Sequence, residues 1–141
     1  MRIYYVFNIK KEVLEIYEKT PSVLYNFMNQ LYYLKKDSLD YCNMIFRQVA
    51  DSFDKEELDL YIYLKLHNKM RYVKKKDDHI INNFYKDEVS IMKVKKSYII
   101  INLNKKSTEF FSLIGDIYQN CLVCDFNNQD YFYLRKLKTL V

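Results

Sequence analysis

Residues 3–9, Ile-Tyr-Tyr-Val-Phe-Asn-Ile, are almost all β-branched or aromatic, with only Asn8 interrupting them. A run without alternation suits a strand covered on both faces, so an interior strand is predicted here. From Lys10 the charges return, and Val13, Leu14, Ile16 and Tyr17 fall on one broad arc of a helix with 3.6 residues per turn. At ~100° per residue the arc spans roughly 160°, wider than a two-turn helix needs to sit on a sheet. Its centre line is Val13 and Tyr17, one turn apart and flanked by Lys10 and Glu12. That pattern has two readings: a pair of core residues, or a small aromatic docking ridge.

Thr20 and Pro21 restart the chain, the first as N-cap and the second at the first helical position, where a missing N–H costs nothing. The helix they open runs to about residue 34, with Leu24, Phe27, Met28 and Leu31 on its core face and Asn26, Asn29 and Gln30 towards water. Asp37 or Ser38 caps a third helix to about residue 51, whose stripe is Cys42, Ile45, Phe46, Val49 and Phe53. Its opposite side carries Asp40, Arg47, Gln48 and Asp51; beside the first helix, Gln48 and Asp51 would join the same docking surface.

Residues 54–68 are ambiguous, because Leu58, Leu60, Ile62, Leu64 and Leu66 alternate like a strand while Asp54 and Glu57 have the spacing of a capping box. A helix is the preferred reading. Residues 70–86 are polar enough for a loop, or for a short exposed helix around His79, Ile80 and Ile81. Two strands follow at 89–94 and 98–103, then a helix capped by Ser107 or Thr108 and carrying Phe110, Phe111, Ile114, Ile117 and Tyr118. A closing hairpin spans 121–126 and 131–137, turning at residues 127–130. The sum is one α+β domain over residues 1–141. Its mostly antiparallel sheet has about five strands, the N-terminal strand plus two C-terminal hairpins, packed with four to five helices.

At 141 residues, 50% of them hydrophobic, the chain is large enough to bury a core without metal or disulfide support. The formal charge is +5, carried in lysine pairs such as Lys10-Lys11, Lys95-Lys96 and Lys105-Lys106 and in the triplet Lys74-Lys75-Lys76. These sit at element ends and turns, and acidic clusters such as residues 54–59 break any continuous basic face, which argues against direct nucleic-acid binding. No apolar run approaches the ~20 residues of a membrane span, and the N-terminus lacks a signal-peptide layout, so a cytoplasmic protein without a membrane partner is expected.

Catalysis is not expected. Cys121 and Cys124 have the spacing of a redox or zinc pair, but at i and i+3 of a strand they point to opposite faces. Cys42, His67 and His79 have no second pair at ligand spacing, and neither histidine has a nucleophile and orienting carboxylate nearby in sequence. Asp125 interrupts an apolar strand just before a turn, where its expected role is to satisfy backbone donors. With one glycine, Gly115, no glycine-rich phosphate loop exists. No catalytic residue, metal site or cofactor is predicted.

The opening Tyr4-Tyr5-Val6-Phe7-Asn8-Ile9-Lys10-Lys11-Glu12-Val13, continuing to Tyr17, and the closing Asp125-Phe126-Asn127 with Tyr131 and Leu134 resemble the sporulation inhibitor of replication, SirA, family of the Firmicutes. The resemblance covers both ends, the length and the order of elements, but not residues 55–87. It implies a non-enzymatic α/β domain that binds the N-terminal domain of the replication initiator DnaA and holds back a new round of chromosome replication. It also implies that the helix after the first strand makes the contact, through positions that fall on Val13 and Tyr17. The family pattern has an aromatic residue where this chain has Val13, and a glycine and a tryptophan where it has Phe132 and Tyr133. The partner-binding surface is thus expected at Glu12, Val13, Ile16 and Tyr17 with Gln48 and Asp51; the alternative is a small basic nucleic-acid-binding domain.

Overall fold

The structure, a computed structural model, describes residues 1–34 and 39–135, with side chains for all but residues 39–41. At its centre lies β1 (Arg2–Ile9), the apolar run interrupted only at Asn8 after Arg2. Alternation sends Tyr4 and Val6 to one face of the sheet and Phe7 and Ile9 to the other, and all four are buried. The predicted interior strand is therefore present, with β6 (Ile99–Leu103) against one side and β7 (Cys121–Asp125) against the other.

The described residues form one sheet of eight strands, every pair antiparallel, in the order β3-β4-β5-β6-β1-β7-β8. The eighth, β2 (Ala50–Asp51), pairs with the end of β1, Asn8 opposite Asp51 and Ile9 opposite Ala50. Three of these strands, β2, β3 (Tyr72–Lys75) and β4 (Asp78–Asn83), lie beyond the five expected. The loop predicted for residues 70–86 is mostly this β3–β4 hairpin, which continues into β5 (Glu88–Val94). Its polar sequence is compatible with strand because only one face is covered: Tyr72, His79 and Ile81 point into the core while Val73 and Lys75 face solvent.

Helices cover both faces at the centre. On one, Leu58, Ile62 and Leu66 of α4 (Lys55–Leu66) and Phe110, Phe111 and Ile114 of α5 (Glu109–Ile117) pack on Tyr4, Val6, Cys121 and Val123. On the other, Leu14 of α1 (Lys11–Tyr17) and Leu24, Tyr25 and Met28 of α2 (Pro21–Leu34) pack on Phe7, Ile9, Leu122 and Cys124. The helical reading of residues 54–68 holds, with Asp54 accepting the Glu57 N–H at 3.1 Å. Thr108 caps α5 as expected. Thr20 does not cap α2: its hydroxyl donates to the Tyr17 carbonyl at 3.4 Å instead. Phe27 and Leu31 are half-buried and pack against this core, while Asn29, placed towards water by the sequence pattern, is half-buried too.

The third helix, α3 (Leu39–Val49), ends two residues early because Ala50 and Asp51 leave it to pair with β1. Its expected cap, Asp37 or Ser38, lies outside the described residues. Cys42 is buried and Ile45, Phe46 and Val49 are half-buried, but Phe53 belongs to the opposite core, against α4 and α5. The closing hairpin turns at residues 127–130 into β8 (Asp130–Tyr133), where Gln129 takes a left-handed φ of 54°.

Candidate partner-binding surface

The first helix is held by its ends. No side chain caps α1, but the Lys10 N–H donates to the Val49 carbonyl at 2.9 Å, which fastens its start to the α3–β2 junction. At the other end the Tyr17 carbonyl accepts the Thr20 N–H at 2.9 Å and the Tyr133 hydroxyl at 3.2 Å. Glu18 accepts from Arg135 at 2.5 Å just beyond, and the Arg135 guanidinium lies over the Tyr133 ring. Tyr17 is thus held through its backbone carbonyl.

Between these ties α1 buries one residue, Leu14. Val13 is half-buried against the core, Tyr17 is 36% exposed and Ile16 is 72% exposed. Glu12 is exposed one turn before Ile16, so Glu12, Val13, Ile16 and Tyr17 share the outer arc of the helix. Gln48, on the last turn of α3, is exposed and adjoins Val49, the residue that anchors Lys10. Asp51 is exposed too, but it is not on α3: it lies on β2 opposite Asn8, three residues before α1 begins. The backbone passes close to the start of α1 at both residues, but Ile9 and Ala50 share the face that α1 covers, so Asp51 points with Asn8 to the opposite face and does not join the expected surface. Two strand residues are too short a signal to read.

The other candidates fall to structural roles. Cys121 and Cys124 are buried in opposite cores, and burial pushes both thiols far above their ordinary range, so neither is reactive. Asp125 accepts the Asn128 N–H at 3.2 Å and its side-chain amide at 2.8 Å, with Arg2 3.6 Å away, as its turn position predicts. His79 is not a surface histidine; it is fully buried. Its Nε2–H donates to Asp59 at 2.7 Å and its Nδ1 accepts the Tyr72 hydroxyl at 2.7 Å. Burial pushes the Tyr72 hydroxyl up to about 12 and lowers His79 despite the Asp59 carboxylate, so the neutral tautomer is the one that satisfies all three groups. Asp59 also takes the Lys55 ammonium at 2.6 Å. This chain of bonds, buried at its central imidazole, pins α4 to the β3–β4 hairpin.

Several cations are already paired: Lys55 with Asp59, Arg71 with Glu109 through two hydrogen bonds, and Lys93 with Asp78. Among the described residues no three His, Cys, Asp or Glu side chains converge as a metal site. None of the described helices is long and apolar enough to cross a membrane.

What the fold defines is a small α+β domain whose short first helix carries exposed apolar side chains. The sequence model of the sporulation inhibitor of replication protein SirA matches residues 2–138, including the 55–87 stretch where the end motifs give no guide. The chain belongs to that family of regulatory replication inhibitors. No curated protein matched the chain.

Proposed function

We propose that this protein binds the N-terminal domain of the initiator DnaA through the outer arc of α1, and so inhibits initiation of chromosome replication during sporulation. The observation that carries this reading is the exposure of Ile16 and Tyr17 on a helix that buries only Leu14. Exposed apolar side chains give the fold little, whereas a tyrosine and an isoleucine desolvated together at the centre of an interface are typical anchors. Val13, half-buried, sets the floor of the ridge. Glu12 and the exposed Gln48 supply polar groups near its start, whereas Asp51, paired with Asn8, points to the other face of the sheet and is left out of the surface. Such a surface is small, which suits a regulator that must come off its partner again. A cytoplasmic location follows from that partner.

The test is a calorimetric titration against the purified initiator domain from the same organism, at moderate salt so that lysine-mediated contacts are screened. Saturable binding that a folded Tyr17→Ala variant loses is the expected result. Absence of binding to a well-folded initiator domain contradicts the proposal.

A further inference from the structure

The fourth helix is apolar on two sides. Leu58, Ile62 and Leu66 face the core at 0%, 0% and 2% exposure. Turned roughly 180° from that line lie Leu60 and Leu64. They are 57% and 58% exposed, beside Tyr63 at 42%. His67 continues the row, its ring stacked on Tyr63 with centroids 5.0 Å apart. Positions 60, 63, 64 and 67 repeat at i, i+3, i+4 and i+7, the spacing with which one helix lies along another. Two leucines side by side on an outward helix face form a contiguous patch, which calls for an occupant more strongly than leucines scattered singly.

The charges say which occupant. Glu56 and Glu57 stand in the first turn, Lys65 in the last, and His67 and Lys69 follow. A helix acidic at its start and basic at its end complements itself when antiparallel, and the helix dipoles then oppose favourably as well. About a two-fold axis near Ile62, Leu60 of one helix meets Leu64 of the other, and each Glu57 meets a His67. A parallel alignment would set glutamates against glutamates. A uniformly acidic or basic partner would match only half of the ridge.

We propose that a second copy of this chain docks on the α4 ridge, helix against helix in antiparallel register. One helix pair buries less than the ~800 Å² per partner of a standard interface, so the dimer is weak and concentration-dependent. Because α4 lies on the sheet face opposite α1, pairing leaves both α1 ridges open. The inference does not rest on the initiator-binding reading.

Sedimentation of the full chain from micromolar to millimolar concentration tests it, with two charge variants whose substitutions are all at exposed positions. Glu56→Lys with Glu57→Lys makes the helix basic at both ends, and Lys65→Glu with Lys69→Glu makes it acidic at both ends. Circular dichroism checks that each remains folded. The wild type is expected to shift from monomer to dimer, and each variant alone to self-associate at least about tenfold more weakly. An equimolar mixture of the two variants, now complementary, recovers the dimer. A wild type that stays monomeric, or association that neither pair of substitutions alters, overturns the proposal.

Discussion

The helices α1 and α4 lie on opposite faces of one sheet, and both turn apolar side chains outward, yet they are built differently. α4 sinks three residues into the core, is capped by Asp54, and is pinned to the β3–β4 hairpin through Asp59 and His79. α1 sinks one, has no side-chain cap, and is held by backbone ties at Lys10 and Tyr17. The difference separates two ways of carrying an exposed ridge. In α4 the outer face rides on a helix that the core already secures, whereas in α1 the ridge is most of what the helix contains. Substitutions on the inner face of α4 should therefore report on stability, and those on the outer arc of α1 on binding.

The largest effect is expected at the floor of α4. Ile62→Ala leaves a cavity in a fully buried site and should cost about 2 to 5 kcal/mol in urea denaturation. Next comes Tyr17→Ala, which should cost roughly 1 to 3 kcal/mol of binding to the initiator domain while leaving the urea midpoint close to that of the wild type. If it melts the protein instead, Tyr17 is a core residue and the contrast between the helices fails.

The pin on α4 gives the comparison a pH axis. His79 is held neutral by burial, so its folded pKa lies below the ~6.5 of an unfolded chain, and the unfolded state binds more protons as pH falls. The His79 contribution is complete above about pH 6.5 and is lost below it, at up to about 1.4 kcal/mol per pH unit. Denaturation from pH 7.5 down to about 5.5 should show this slope, and His79→Gln should flatten it. The smallest effect is at the cap: Asp54→Ala should cost about 1 kcal/mol, read as a lower midpoint with an unchanged denaturant slope.

Much of this architecture was written in simple periodicities. The strand at β1 announced itself because both of its faces are buried, and the caps Asp54 and Thr108 because capping is a local contact. The misleading alternation of Leu58, Leu60, Ile62, Leu64 and Leu66 has a physical origin now visible. A helix with leucines on two opposite faces reads as a strand, since every second residue of either pattern is apolar. The β3–β4 hairpin was hidden for the converse reason. Half of its surface faces water, one of its core positions is a histidine, and that histidine finds its partners seven and twenty residues away. The α1 ridge was legible as an arc too wide for its sheet, but the place of Asp51 was not, because a two-residue strand leaves no pattern.

The contrast between the two helices is tested most directly by following backbone amides by NMR as the initiator domain is added. The account predicts that shifts and broadening concentrate on Glu12 to Tyr17, extending to Gln48, while the amides of α4 stay in place. Perturbation centred on α4, or on the lysine-bearing turns, with α1 silent would contradict it.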